Sequence, residues 1–354
     1  MLLAPAIQSQ LLYDSGRGRR SLPSRPLKNA FRQFFLDPKK NEAEAKKILL
    51  CMAKRTETAD EVWALIELIQ SMEKPKPSGL PRVLDLCGTG GDGHHTFNIS
   101  TLSAFVIAGA GGVVAKHGNR AVSSKCGSSD LMEALGVSLN LSRPKSLKLL
   151  KNCGLAYLHA PNYHPLFAAA QPLRKSLGVR TLFNILGPFL NPFLPSIQMI
   201  GVSQKSQLDF FVAILKLKKI SRGAVYHSAD GLDEISTAAK TEVFELTGRK
   251  VKRWFIHPQD YGFQKAVVQD YQGGDIRRNQ KIALDLLQGR LRGPKKDIVL
   301  LNAGMGLYLS GISATIADGI QKARISLEQK KAYKVFETLK RGSTDDGFRS
   351  NSPS

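Results

Sequence analysis

The stretch DLCGTGGDGHHTFNISTLSAFVIAGAGGVVAKHGNRAVSSKCGSSD, residues Asp85 to Asp130, decides how this chain is read. The apolar run from Val83 to Cys87 that leads into it predicts a buried strand. Glycines follow at Gly88, Gly90, Gly91 and Gly93. A backbone without a Cβ can turn sharply there and come close to a ligand. Asn98-Ile-Ser-Thr101 then opens an apolar helical run from Leu102 to Ala110. A glycine loop feeding a helix N-terminus offers unpaired N–H groups and a partial positive charge, which suits phosphate.

The spacing Gly88-x-Gly90-x-x-Gly93 also fits the dinucleotide fingerprint. A dinucleotide site needs an acid about 20 residues further on to hold the ribose hydroxyls. Here the next strand-like run, Gly112 to Ala115, ends in the basic loop Lys116-His-Gly-Asn-Arg120. A third small-residue loop, Ser123 to Asp130, adds hydroxyls and N–H groups ahead of a short helix from Leu131 to Leu135. Three such loops in one segment predict a ligand bearing several phosphate groups.

In this order and spacing, Gly88-Thr-Gly-Gly-Asp-Gly93, Asn98-Ile-Ser-Thr101, Lys116-His-Gly-Asn-Arg120 and Gly127-Ser128 resemble the phosphoribosyl pyrophosphate (PRPP) site of anthranilate phosphoribosyltransferase. Arg180-Thr-Leu-Phe-Asn-Ile-Leu-Gly-Pro188 with Asn191-Pro192, Asp230-Gly-Leu-Asp-Glu-Ile-Ser236 and Asn302-Ala-Gly304 extend the resemblance over roughly residues 40 to 330. It implies an α/β fold. A small discontinuous helical domain joins a larger α/β domain with a mainly parallel central sheet, as in nucleoside phosphorylases and phosphoribosyltransferases. It also implies an activity: the phosphoribosyl group of PRPP passes to the amine of anthranilate and pyrophosphate leaves, in tryptophan biosynthesis. Mg²⁺ as cofactor and a homodimer come with it.

The same resemblance assigns site residues. Gly88, Gly91, Asp92, Thr96, Asn98, Ile99, Ser100 and Thr101 line the PRPP site. Lys116, His117, Gly118, Asn119, Arg120, Ala121, Val122, Ser123, Ser124 and Ser128 complete it. Ser100 gives a hydroxyl to Mg²⁺, joined by the adjacent acids Asp233 and Glu234. Arg174 binds the anthranilate carboxylate, with Asn119 and Gly88 beside the aromatic ring. The reaction requires no covalent nucleophile, so catalysis rests on positioning and charge stabilisation, and no catalytic residue is nominated.

Taken alone, several of these residues also fit blander roles. Asp233-Glu234 fits a solvated acidic turn, Arg174 a helix-surface arginine, and His117 a packed, hydrogen-bonded histidine. The pair His94-His95 has no third ligand near in sequence and is not read as a metal site. His159 and His164 are read as structural. Two residues depart from the family pattern: Cys126 stands where serine is usual, and Cys87 replaces a valine or similar residue. If backbone N–H groups bind the phosphates, Cys126 changes little; if the side chain does, it weakens binding.

The charge is unusual, with 51 Lys and Arg against 29 Asp and Glu, a formal +22. Solvated lysines are one reading; a nucleic-acid-binding protein of the same fold is the alternative. The lysines are scattered, and no recognition helix or aromatic-interleaved motif accompanies them. No apolar run reaches the length of a membrane span. The cysteines, Cys51, Cys87, Cys126 and Cys153, show no C-x-x-C spacing, which suggests neither a disulfide frame nor a zinc site and points to the cytoplasm.

Along the chain, residues 1–30 are poorly defined. Arg17, Arg19, Arg20 and Arg25 fit either a transit-like segment or shortened first helices. A helical domain is expected over 31–76, with a further helical part near 163–192. Val62, Leu65, Ile66 and Ile69 form its apolar stripe, and Thr58 with Glu61 forms a capping box. The α/β domain is expected over 80–342, with strands at 82–87, 112–116, 198–203 and 223–228. Antiparallel strands should follow within 241–275, helices at 297–310 and 314–338, and a disordered tail over 343–354.

Overall fold

The computed structural model describes residues 21–55, 57–121, 125–177 and 181–344, and leaves the side chains of Ala169, Arg174 and Lys175 outside the description. At its centre is a seven-stranded sheet in the order β3-β2-β1-β4-β5-β6-β7. The strands are β1 Val83–Gly88, β2 Val113–Gly118, β3 Leu155–His159, β4 Ile197–Gly201, β5 Arg222–Ser228, β6 Thr241–Thr247 and β7 Lys250–Ile256. The first five pair in parallel, and β6 and β7 complete the sheet as an antiparallel ribbon. The central strands are buried on both faces, so they read as continuous apolar runs. β7 (KVKRWFI) is an edge strand with several exposed residues, and its cationic side chains guard an open edge.

The strand order fixes where a ligand can sit. The chain winds from β1 to β2 to β3 in one direction, then returns to lay β4 on the other side of β1. The connections after β1 and β4 therefore leave in opposite directions and open a crevice beyond their carboxyl ends. The glycine loop emerges at that point.

Alternation along β4 and β5 feeds two cores. Ile197, Met199, Ala224 and Tyr226 enter one, packed with helices Ile99–Gly109, Pro294–Leu309, Ile316–Glu328 and Lys331–Thr344. Ile200, Val202 and Val225 enter the other, with helices Ser24–Leu36, Pro38–Arg55, Ala59–Glu73, Pro165–Leu177 and Leu208–Leu217. Within that second core Phe183 meets Phe31 at 6.2 Å, Phe35 at 6.4 Å and Phe167 at 5.7 Å between ring centroids. Segments more than a hundred residues apart in sequence thus share one aromatic cluster.

The Thr58–Glu61 capping box is present. Glu61 N donates to Thr58 Oγ1 at 3.3 Å, and Thr58 N donates to Glu61 Oε2 at 2.9 Å. Glu61 does more than cap: it also accepts from Leu22 N at 2.7 Å and pairs with Arg55.

Several elements differ from the sequence reading. Strand β3 and helix Ile276–Leu287 have no counterpart in it; β3 is too short and uniformly apolar to announce a period. The segment 314–338 is two helices, broken around Lys330, whose φ is 55°. The last helix runs to Thr344, beyond the 342 boundary, and the first described one begins at Ser24, ahead of residue 31. Residues 1–20 and 345–354 lie outside the described residues. Among those described, no helix is long and apolar enough to cross a membrane, and the four cysteines form no disulfide.

Glu61→Ala should lower unfolding stability by about 2 kcal/mol, because it removes the acceptor of Leu22 N, one ion-pair partner of Arg55 and half of a helix cap. Urea denaturation checks this. A loss under about 1 kcal/mol would mean that Glu61 is not the anchor of these helices.

Candidate functional site

The glycine loop is built against β4 and the turn after β5. Thr89 N donates to Gly201 O at 2.9 Å, and Gly90 N donates to Asp233 Oδ2 at 2.6 Å. Gly90, Gly91 and Gly93 take φ values of 69°, 76° and 75°, which only glycine adopts without strain. The far side of the loop is pinned by Phe97 N to Tyr271 O at 3.0 Å and Gly273 N to His95 O at 3.0 Å. Gly88 is required by proximity alone: a Cβ there would stand 2.2 Å from Asp233 Oδ2. The same holds at Gly201, where a Cβ would stand 1.8 Å from Asp233 O.

Asp233 and Glu234 are buried, not a solvated turn. Ser100 N, in the first turn of helix Ile99–Gly109, donates to Glu234 Oε1 at 3.1 Å. Asn302 brackets the next residue: Ile235 N donates to its Oδ1 at 3.0 Å, and its Nδ2 donates to Ile235 O at 2.8 Å. Both acids have pKa values raised above the ordinary carboxylate range. Burial is the main cause, followed by the charge of Asp92 for Asp233 and of Asp233 for Glu234. Glu234 Oε2 and Asp92 Oδ2 are buried without a hydrogen-bond partner. Lys116 Nζ is close by, donating to Leu86 O at 2.8 Å and to Ser100 Oγ at 3.1 Å.

This donor set fits a hard dication. It offers carboxylate and hydroxyl oxygens, two of its oxygens are orphaned, and its acids are raised by burial and then by mutual repulsion, both of which a cation would offset. Among the described residues no three His, Cys, Asp or Glu side chains converge as a metal site by themselves. A dication here would complete its shell with water and ligand oxygens, as Mg²⁺ usually does.

Strand β2 holds Lys116 and runs on through His117 and Gly118, two residues beyond the end expected at 116. Strand alternation therefore sends Lys116 towards Ser100 and His117 to the opposite face. His117 N donates to Asp85 Oδ1 at 3.2 Å, and its Nε2 lies 3.2 Å from His164 Nε2. Burial, then the charge of His164, lowers the His117 pKa to about 3, so its ring is neutral. Asn119 O accepts from Ser128 Oγ at 3.2 Å and from Ser129 N at 3.1 Å. Arg120 is exposed and reaches Glu133 at 2.8 Å and Asp130 at 3.1 Å. Asp130 Oδ2 in turn accepts from Ala121 N at 3.0 Å and Gly127 N at 2.9 Å. Cys126 contributes its carbonyl, which accepts from Asn98 Nδ2 at 3.1 Å, while its side chain is buried in the core.

Asp92, Ser100, Lys116, Asp233 and Glu234 thus gather at the carboxyl ends of β1, β2 and β5. Thr96 pairs with Gln272 at the rim of the loop. Val122, Ser123 and Ser124 lie outside the described residues, as does the side chain of Arg174. The sequence reading assigned no site role to Asp85, Asn302 or Lys218. Lys218 Nζ donates to Gln198 Oε1 at 2.9 Å, and burial lowers its pKa to about 8 while the charge of Asp85 opposes that shift. A charged residue ending an apolar helix is the one available signal for it, and it is weak.

Comparison with known proteins bears on what this arrangement does. The family model described as "Glycosyl transferase family, a/b domain" matches residues 80–333. The anthranilate phosphoribosyltransferase of Persephonella marina is 39% identical over 322 residues, which cover 91% of this chain and 95% of the relative. The crystal structure of anthranilate phosphoribosyltransferase from Thermus thermophilus superposes with a TM-score of 0.86 at 31% identity, covering 96% of this chain and 99% of that one. The Saccharomyces cerevisiae enzyme in complex with PRPP and Mg gives a TM-score of 0.87 at 25% identity, covering 96% of this chain and 97% of that one.

The raised acids make stability depend on pH. A carboxyl whose folded pKa lies above its unfolded value adds stability that is fully present below the unfolded pKa. That stability is lost as pH rises through the folded one. Between the ordinary carboxylate range and the raised native values, the metal-free protein should therefore lose stability as pH climbs. Asp233→Asn combined with Glu234→Gln should flatten that fall, as read by thermal melts across the window. A parallel decline in both proteins would reject the pair as its source.

Proposed function

We infer, for a chain that belongs to the anthranilate phosphoribosyltransferase family, that it transfers the phosphoribosyl group of PRPP to the amine of anthranilate, releasing pyrophosphate, in tryptophan biosynthesis. One observation carries the reading. The glycine loop, the first turn of helix Ile99–Gly109 and a buried pair of acids with an orphaned oxygen meet at the switch point of the sheet. Nothing in the site or among the relatives described favours the nucleic-acid-binding alternative.

The chain's own groups bind and orient. The N–H groups of the glycine loop and helix start that are not spent on Gly201, Asp233 and Glu234 would face the polyanion, with the positive end of the helix dipole behind them. Lys116, fixed by Leu86 O and Ser100 Oγ, adds a buried positive charge beneath the same region. Asp233, Glu234 and Ser100 would hold Mg²⁺, which when bound neutralises charge developing on the leaving pyrophosphate. Val122, Ser123, Ser124 and Ser128 would close the PRPP site. Asn119 and Gly88 would border the aromatic ring, and Arg174 would grip its carboxylate through two parallel hydrogen bonds. Lys116 and the backbone of the glycine loop are fixed before the reaction, which spares the chemical step the cost of reorganising them.

We also assign the helices of 31–76, with the part near 163–192, to a helical domain that supplies a homodimer surface. The α/β domain spans 80–342, and the enzyme works in the cytoplasm.

Anthranilate fluorescence should fall when PRPP and Mg²⁺ are added together, and not with either alone. A folded protein that leaves it unchanged would sink the assignment. Arg174→Ala should raise the Michaelis constant for anthranilate on the order of 30-fold, the worth of a charge-assisted pair, with little change for PRPP. Equal effects on both substrates would remove Arg174 from its role. Asp233→Asn with Glu234→Gln should weaken the Mg²⁺ dependence of turnover; an unaltered metal titration would discard the ligand assignment.

A further inference from the structure

We propose that Glu73 is a positioning residue for this transfer: it anchors His164 and, through it, holds the ring of His117 and the start of the helix that carries Arg174. The inference rests on the reaction proposed above.

Glu73 ends helix Ala59–Glu73, in the layer of helices that packs beside the sheet. Its Oε2 lies 2.6 Å from His164 Nδ1, and the two side chains are 9% and 7% exposed. The other carboxylate oxygen, Oε1, is buried with no partner. The hydrogen bonding of this carboxylate is therefore committed to His164. On the far side of that ring, His164 Nε2 lies 3.2 Å from His117 Nε2, with the rings edge to face at 5.0 Å. Three residues from three separate stretches of chain form one buried line from the helical layer to the end of β2.

Hydrogen-bond logic gives the line a direction. A carboxylate only accepts, so the proton between Glu73 and His164 sits on Nδ1 of His164. His117 is neutral and keeps one N–H. One pattern gives every N–H an acceptor. His164 donates through Nδ1 to Glu73, and its Nε2 accepts from the Nε2–H of His117. Which nitrogen of a histidine carries the proton is set by the bond the other one makes. Without Glu73, His164 loses the partner that fixes it.

The consequence falls on one substrate. His117 lies two residues before Asn119, and His164 immediately precedes helix Pro165–Leu177, which carries Arg174. Two of the three residues assigned to anthranilate, Asn119 and Arg174, are tethered to this histidine pair, and Arg174 is assigned to anthranilate alone. PRPP also draws on His117 and Asn119, but its acidic pair and glycine loop are held by contacts that do not involve Glu73.

In the full chain, Glu73→Ala should raise the Michaelis constant for anthranilate about tenfold, with kcat and the constant for PRPP changed less than about threefold. Glu73→Gln keeps an acceptor oxygen and should fall between wild type and Glu73→Ala. The ¹⁵N ring resonances of the unliganded protein give a second readout. His164 Nδ1 should move from the protonated range towards that of a bare nitrogen in Glu73→Ala. Equal rises for both substrates, or His164 resonances that do not move, overturn the proposal. If Glu73→Ala does not fold, Glu73→Gln carries the same two readouts. A wild type that leaves anthranilate unconsumed would sink the reaction itself, and the ring resonances would still decide whether Glu73 anchors His164.

Discussion

Two adjacent carboxylates, Asp233 and Glu234, are kept out of water across the ends of β1 and β4, and the site is arranged around that cost. Burying a carboxylate is expensive unless hydrogen bonds or opposite charge offset it. Here Gly90 N and Ser100 N supply hydrogen bonds, and Lys116 supplies charge. The compensation is partial, since one oxygen of Glu234 is left without a partner. That residue of unmet charge is what makes the cradle receptive to a dication. It also explains why Gly88 and Gly201 carry no side chain, because Asp233 occupies the space a Cβ would need.

The sheet topology makes this crossing possible. Because β4 returns beside β1, the glycine loop after β1 and the acidic turn after β5 meet over the same strand ends. Helix Ile99–Gly109 points its N-terminus at the same place. Beneath the crossing, Asp85 accepts from His117 N, and burial raises its pKa even though Asn191 and Lys116 oppose the shift. The site therefore stands on a second buried polar layer. Groups of this kind cost stability and are tolerated where they fix geometry.

The local features were legible. Gly88 to Gly93, Asn98 to Thr101 and Thr58 with Glu61 each carry a short-range signal, and each takes the local form that signal predicts. Other readings fail for physical reasons. His117 looks like a loop residue because a polar ring rarely ends a buried strand, yet it is a strand residue satisfied by partners distant in sequence. The break around Lys330 leaves no mark, since no glycine or proline punctuates it. The partner of His164 is equally hidden: nothing near it in sequence announces Glu73.

By itself, the sequence determined the glycine-bearing loop, the α/β alternation and the family to which these motifs belong. Such features depend on neighbours within a few residues, where backbone freedom and side-chain period act directly. Only the tertiary structure decided that Asp233 and Glu234 are buried, that Lys116 and His117 face opposite ways, and that Glu73 reaches His164. Burial and long-range pairing are properties of the packed chain: which charges lose water, and what meets them there, follows from strand order and from no local pattern.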